Sequence, residues 1–257
     1  SRVDLDVSDI RRGEARSVAG VLAAALQDDP GWSAVVPSAA ARRRVLQSVL
    51  RAAVADAARS GRVLVARPRP GGGGCGGTQG GTQEVTDRRF GGRTGDDTGD
   101  DTGDGTGDGT GVLGAAVWLP PGAYPMTAGR KTWAALRLLP AGVRDPGGLR
   151  AAAAFGSAVD AAFPAPAEGP VAYLQVLGVR PSAARRGVGR ALLAPLLAHP
   201  CAVYLETSAP GNVAYYERAG FAVLPGSPAP IGGRGPVMWR MARPSPSEPP
   251  ASPTTRR

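Results

Sequence analysis

The chain has 257 residues, with 30 Lys and Arg against 21 Asp and Glu, and a formal net charge of +9 at pH 7. This length fits one large domain or two small ones. No apolar run approaches the roughly eighteen residues that a membrane-spanning helix requires, so a transmembrane protein is not predicted. The two cysteines, Cys75 and Cys201, make no disulfide framework and favour a cytoplasmic protein.

Hydrophobic periodicity predicts strands and helices both before and after the glycine-rich residues 68–111. The predicted elements, in chain order, are a strand at residues 3–6, helices at 17–27 and 38–60, strands at 62–66 and 114–119, helices at 126–140 and 147–163, a strand at 169–179, a helix at 191–197 and a strand at 202–206. The consecutive arginines Arg42, Arg43 and Arg44 are interpreted as a solvated helix face.

Residues 68–111 interrupt this order as a low-complexity insertion. Within it, Thr94–Gly111 repeats the units TGDD and TGDG and holds six Asp with no Lys or Arg. A segment without apolar residues cannot offset its loss of conformational entropy by burial, so disorder is predicted. The flanking parts, residues 1–67 and 112–243, are predicted to form one domain, and residues 244–257 a disordered tail.

The most informative stretch, Ala172–Phe221, contains a strand, the glycine-rich turn RRGVGR and a helix. Gly187 and Gly189 allow the backbone to approach a ligand closely. The first N–H groups of a helix have no intrahelical partner and favour anions such as pyrophosphate. Positive charge is added by Arg185, Arg186 and Arg190. Taken alone, the pattern is also compatible with a plain tight turn.

The order of these parts resembles the GNAT superfamily of acetyl-CoA-dependent acetyltransferases. The pyrophosphate loop of that family, Gln/Arg-x-x-Gly-x-Gly/Ala, maps onto Ala184–Gly189, and a second block, Asn-x-x-Phe/Tyr-Tyr-Glu-Arg-x-Gly-Phe, maps onto Asn212–Phe221. The chain departs from the family at Ala184, so one contact is missing or is supplied by Arg185. The resemblance implies an α/β fold with a mixed, mostly antiparallel sheet, flanked by helices and splayed between strands 4 and 5.

The resemblance also implies acetyl-CoA as co-substrate, no metal, and roles for particular residues. Tyr216, rather than Tyr215, matches the general acid of the family. Glu206 is the nearest match to its base, although it could equally be a structural acceptor for backbone N–H groups. The residues implied in CoA binding are Leu177, Gly178, Val179, Arg185, Arg186, Gly187, Val188, Gly189, Arg190 and Asn212.

The acceptor side is less defined by sequence. Trp32 is either a packing anchor or part of the acceptor pocket, and Trp118 either belongs to the core or faces the acceptor. The expected acceptor is the amine of a small molecule, with an aminonucleoside-type antibiotic as the leading candidate and hence a role in antibiotic resistance. The protein is expected to be a monomer or a homodimer.

Three alternatives are considered. A protein or peptide N-acetyltransferase would share the same motifs. Ala184 and the absence of glutamate from the fourth strand slightly favour a catalytically silent CoA-binding module, whereas Tyr216 and Asn212 argue against it. Nucleic-acid binding is not predicted, because the positive charge has no aromatic platform or recognition helix beside it. Attraction of the CoA phosphates is the simpler use of that charge.

Overall fold

The computed structural model describes residues 4–69, 111–163 and 170–246. The strands within these ranges are β1 (Leu5–Asp9), β2 (Arg62–Pro68), β3 (Gly114–Leu119), β4 (Val171–Val179), β5 (Ala202–Thr207), β6 (Ala222–Val223), β7 (Ala229–Pro230) and β8 (Val237–Arg243). The helices are α1 (Ala15–Leu26), α2 (Pro30–Val35), α3 (Ala39–Ser60), α4 (Ala128–Arg144), α5 (Pro146–Ala162), α6 (Val188–Leu197) and α7 (Pro210–Glu217).

The strands form one sheet in the order β1-β2-β3-β4-β5-β8-β6, with β7 paired to β8. All neighbouring strands are antiparallel except β4 and β5, which are parallel. Residues 171–173 of β4 pair with residues 202–204 of β5, and no later β4 residue of the described chain pairs with β5. The two strands therefore diverge, and the predicted fold class, including the splay between strands 4 and 5, is confirmed.

A β-bulge lies where β4 leaves β5. Val117 of β3 pairs with Val176, but the next residue, Trp118, pairs with Leu174, so Gln175 is the extra residue in β4. A bulge bends its strand and increases the local twist. The bulge thus helps to turn β4 away from β5 and opens the sheet.

Helices cover both faces of the sheet, and the side chains of each strand alternate between the two sides. In β3, Val117 belongs to the core formed with α1 and α3, whereas Trp118 belongs to the core formed with α6 and α7. Gly178 of β4 allows close packing of α1, because a Cβ there would lie 2.8 Å from Leu22 Cδ2.

The predicted helices form, but α2 and α7 were not among them, and one interpretation of a helix face was wrong. The short helix α2 was not predicted; it forms because Asp29 accepts the Trp32 N–H at 3.0 Å and Pro30 suits the first helical position. The interpretation of Arg42 as solvated is wrong. The residue is 6% exposed, and its guanidinium donates to the carbonyls at the ends of α1 and α2, those of Gln27, Val36 and Pro37.

The two strands that flank the insertion, β2 and β3, are antiparallel neighbours from Ala66–Gly114 to Arg62–Trp118. Pro68 still belongs to β2, so the strand extends into the predicted insertion. Residues 70–110, including Cys75, and residues 247–257 of the tail lie outside the described residues. No helix in the described part of the chain has the length and apolar character needed to cross a membrane.

Candidate active site

The gap between β4 and β5 opens into a cavity of about 510 Å³. β4 lines it with residues 173–177, β5 and the residue after it with residues 205–208, and α7 with Asn212 and Tyr216. Across from the strands, helices α3, α4 and α5 supply mainly apolar side chains, among them Val49, Leu50, Ala134, Leu138, Leu149, Phe155 and Val159. The volume is that of a small-molecule site.

Glu206 is the carboxylate that β5 presents to this cavity. The Tyr173 hydroxyl donates a hydrogen bond to Glu206 Oε2 at 2.9 Å. Burial raises the pKa of Glu206 to about 7, against the lowering effects of the Tyr204 and Tyr173 hydroxyls and of Arg240. The carboxyl can therefore exchange a proton near neutral pH.

Glu206 was left open as a base or as an acceptor for backbone N–H groups. The donor found is the hydroxyl of Tyr173, not a backbone N–H group. This arrangement fits the proton-accepting alternative better.

Tyr216 reaches the cavity from α7 and is 7% exposed. Its ring packs edge-on against Tyr215 and Phe221, at centroid distances of 5.2 and 5.7 Å. Burial, and to a smaller extent Tyr215, raises the pKa of the Tyr216 phenol, which therefore keeps its proton at neutral pH. The Tyr215 hydroxyl is instead directed to α6, where a Cβ on Gly189 would lie 2.9 Å from it.

The glycine-rich turn leads directly into α6. Gly187, the residue before the helix, has φ of 86°, and Arg185 has φ of 60°. No side chain caps α6, so its first N–H groups remain available to an anion. Around them Arg185, Arg186 and Arg190 are exposed. A pyrophosphate would meet both backbone donors and positive charge here.

The remaining predicted CoA residues lie along one path from α6 to the cavity. The backbone of residues 177–179 pairs with β3 on one edge, while in the described structure its other edge has no β5 partner. Asn212 is exposed at the start of α7, lines the cavity and donates from Nδ2 to Thr207 Oγ1 at 3.3 Å. These groups fit an extended ligand lying between the two strands.

Trp32 lines the cavity on the helical side and meets Phe155 edge-on at a centroid distance of 5.5 Å. Its helix is tied to the end of β5 through Ser208, whose hydroxyl donates to Asp29 at 2.7 Å and accepts the Gly31 N–H at 3.0 Å. The tie fixes Trp32 relative to Glu206, two residues before Ser208 in the sequence.

Trp118 is not brought to this site. It is 3% exposed on the α6 side of the sheet, where it contacts His199 at a ring distance of 5.5 Å. The cavity lies on the other side of β3 and Trp118 does not line it. The structure therefore favours the interpretation of Trp118 as a core residue over the alternative that it faces the acceptor.

Among the cavity residues that sequence reasoning missed are Tyr173, Tyr124, Asp160 and Lys131. The Tyr124 hydroxyl donates to Asp160, which also lies 2.6 Å from Lys131 Nζ. These three residues come from segments without a motif, so no local signal marked them. Tyr173 could have been found, because it pairs in register with Tyr204, and Tyr204 and Glu206 share one face of β5.

Comparison with known proteins agrees with this geometry. Residues 143–221, which include the glycine-rich turn, Glu206 and Tyr216, match the model of the acetyltransferase (GNAT) family. This part of the chain, which holds β4, α6, β5 and α7, is therefore similar to the GNAT family of acetyltransferases.

Among solved structures, the chain is similar to a Corynebacterium glutamicum protein described as histone acetyltransferase HPA2 and related acetyltransferase. The identity is 19%, the alignment covers 96% of this chain and 99% of the other, and the TM-score is 0.51, which indicates a shared fold. The chain is also similar to a mosquito arylalkylamine N-acetyltransferase like 5b, with 13% identity, coverage of 94% of this chain and 100% of the other, and a TM-score of 0.45. Curated protein sequences gave no significant match.

Proposed function

We propose that this protein is an N-acetyltransferase of the cytoplasm that transfers the acetyl group of acetyl-CoA to the amine of a small molecule. One observation carries the proposal: Glu206 and Tyr216 line the same cavity, which continues into the gap between β4 and β5. A proton acceptor and a proton donor facing one space are what amide formation from a thioester requires.

In the proposed reaction, the neutral amine attacks the thioester carbonyl, the N–C bond forms and the C–S bond breaks. Glu206 accepts the proton that the nitrogen loses as the amide forms. Backbone N–H groups at the end of β4 polarise the carbonyl oxygen during this step. Tyr216 donates its proton to the departing sulfur, so the products are an N-acetylated amine and the CoA thiol.

The acetyl-CoA site is supported by the turn before α6 and the free edge of β4. The uncapped N–H groups of α6 and the exposed arginines beside them suit the pyrophosphate. The edge of β4 beyond Tyr173 offers backbone groups to the pantetheine arm.

Replacing Gly187 by Glu should weaken CoA binding at least about tenfold, since a carboxylate would face the pyrophosphate and repel it. A Cβ at this position meets nothing within 4 Å, so steric overlap is not the cause. Gly187→Ala is the matched control: it shares the strain of a side chain at φ of 86° but adds no charge. Titration calorimetry with CoA should show a much larger loss for Glu than for Ala; equal affinities in folded variants would contradict the site.

The acceptor half of the cavity supports a small amine with an aromatic or apolar body. Its walls include Trp32, Phe155 and Tyr124, together with the carboxylates Asp160 and Glu206. Aromatic rings favour a flat apolar group, and carboxylates attract an ammonium group. The segment LETSAP at Leu205–Pro210 resembles puromycin N-acetyltransferase, as do AVWLPP at residues 116–121 and VMWRMAR at residues 237–243. An aminonucleoside antibiotic is therefore our leading acceptor, and resistance to it the corresponding role.

A thiol-release assay over a panel of amines tests this substrate class. We expect aromatic primary amines, including aminonucleosides, to be acetylated with kcat/KM well above that of peptides with free N-termini, because α4 and α5 cover the cavity. The same protein assayed with simple alkyl amines controls for amine basicity. Faster turnover of peptides than of all small amines would instead favour the protein or peptide N-acetyltransferase.

A further inference from the structure

A second cavity, of about 390 Å³, lies between α3 and α4 and shares no residue with the turn before α6. Four arginines line it: Arg44 and Arg51 from α3, and Arg137 and Arg144 from α4. Among the described residues that line this cavity, Asp145 is the only acidic one. The cavity is thus lined by four guanidinium groups, and one carboxylate cannot balance their positive charges.

Two of the arginines are held in place by their neighbours. The guanidinium of Arg137 lies 4.2 Å from the centroid of the Trp133 ring. Arg44 Nη2 lies 3.6 Å from Asp145 Oδ2. Stacking and ion pairing reduce the freedom of these side chains before a ligand arrives.

The single carboxylate is already engaged. Besides pairing with Arg44, Asp145 accepts the N–H of Gly148 at 2.9 Å and so caps α5. Within the described parts of the chain, Arg51, Arg137 and Arg144 have no carboxylate within 4.0 Å. Three guanidinium groups around one cavity therefore lack a counter-charge.

We propose that this cavity binds an oligophosphate, meaning a ligand with two or more linked phosphate groups. Guanidinium groups bind phosphate oxygens in pairs of hydrogen bonds, and several of them around a concave surface select a multiply charged anion over chloride. Ser48 and Gln47 on the same wall supply neutral polar groups for the remaining oxygens.

The site would connect to the first cavity through the two helices that form both walls. α4 lines the first cavity with residues between 131 and 138 and the second with residues between 137 and 144. α4 has no buried residue and is held to α3 by the ion pair between Arg130 and Asp56. An anion bridging α3 and α4 would fix α4 and stabilise the fold against heating.

Calorimetric titration of the full chain with inorganic triphosphate at low ionic strength tests the proposal. The double variant Arg51→Glu/Arg137→Glu should bind at least about tenfold more weakly, because it removes two charge-assisted contacts. A charge-matched control, Arg12→Glu/Arg43→Glu, changes two exposed arginines outside the cavity and should stay within about twofold. Arg144→Gln offers a milder second variant, which should also weaken binding.

Two results would overturn the proposal. Equal losses in the double variant and its control would show that triphosphate responds only to overall charge. Loss of binding in Gly187→Glu, with normal binding in the cavity variants, would assign triphosphate to the turn before α6. Retained binding in Gly187→Glu and loss in the cavity variants would support the α3–α4 site, whether or not the protein proves to acetylate amines.

Discussion

Glu206→Gln is expected to lower kcat/KM for amine acetylation by about 10²–10⁴-fold, the range for removal of a positioned general base. Gln keeps the size of the side chain and can still accept the Tyr173 hydrogen bond, which is 2.9 Å long in the parent. It cannot accept the proton of the amine. The effect should therefore fall on turnover, with acetyl-CoA affinity nearly unchanged.

The pH profile gives this prediction a second readout. Because burial raises the pKa of Glu206 to about 7, wild-type kcat/KM should rise as pH increases through about 7, where the carboxyl loses its proton. Both proteins are assayed with the same amine, so that titration of the amine affects the two profiles equally. The variant should lack the rise in kcat/KM at about pH 7. Glu217→Gln, an exposed change on α7, is the matched control and should retain this rise. Identical profiles for wild type and Glu206→Gln would exclude Glu206 as the base.

Thermal unfolding distinguishes a base from a structural carboxylate at the same position. An unfolded Glu has a pKa near 4.5 and the folded Glu206 one of about 7, so between these values the folded protein binds more protons. Wild-type stability should consequently fall as pH rises from about 4.5 to 7 and then level off. Glu206→Gln should be relatively more stable above pH 7 than below pH 5, whereas loss of a structural brace would lower Tm at every pH.

Tyr216→Phe is expected to lower kcat by about 10²–10⁴-fold, the usual contribution of a positioned acid. Phe retains the contacts of the ring with Tyr215 and Phe221, so folding and acetyl-CoA affinity should barely change. Only the proton for the departing sulfur is lost. Because burial raises the pKa of Tyr216, the wild-type rate should show no decline from its ionisation at pH 9 to 10, near the usual tyrosine pKa of about 10.

Tyr215→Phe is the matched control for this change. Its hydroxyl is buried without a partner in the described structure and is directed to Gly189 rather than to the cavity. We expect kcat within about threefold of wild type, since surface or packing changes away from the reacting atoms have small effects. Equal losses in the two variants would mean that the α7 aromatic pair is structural. Wild-type kcat in Tyr216→Phe would refute the proposed acid.

The first five strands could be predicted from the sequence, because alternation and glycine-rich turns are local signals, whereas β6, β7 and β8 were not predicted. The run before Pro181 and the RRGVGR turn located β4 and α6 to within a few residues. The bulge at Gln175 had no such signal, since it depends on how β4 pairs with β3. Arg42 was misjudged for the same reason: only the packing of α1 and α2 around it shows that it caps two helices.

The candidate site also has one part that the sequence predicted and one part that it did not. Their positions in the sequence motif predicted roles for Tyr216 and Asn212, and both residues line the cavity. The acceptor side is assembled by α3, α4 and α5 from residues far apart in the chain, so Tyr124 and Asp160 escaped notice. Trp118 was ambiguous because its face of β3 depends on the register with β2 and β4.

The central claim, that this chain transfers acetyl groups to small amines, is tested most directly with acetyl-CoA carrying an isotope label in the acetyl group. The protein would be incubated with labelled acetyl-CoA and an aminonucleoside or another aromatic amine, and the products analysed by mass spectrometry. We predict multiple turnovers of labelled amide per protein molecule, strongly reduced in Tyr216→Phe and in Glu206→Gln. Binding of CoA with no labelled amide from any amine in the panel would contradict the claim and identify a silent CoA-binding module.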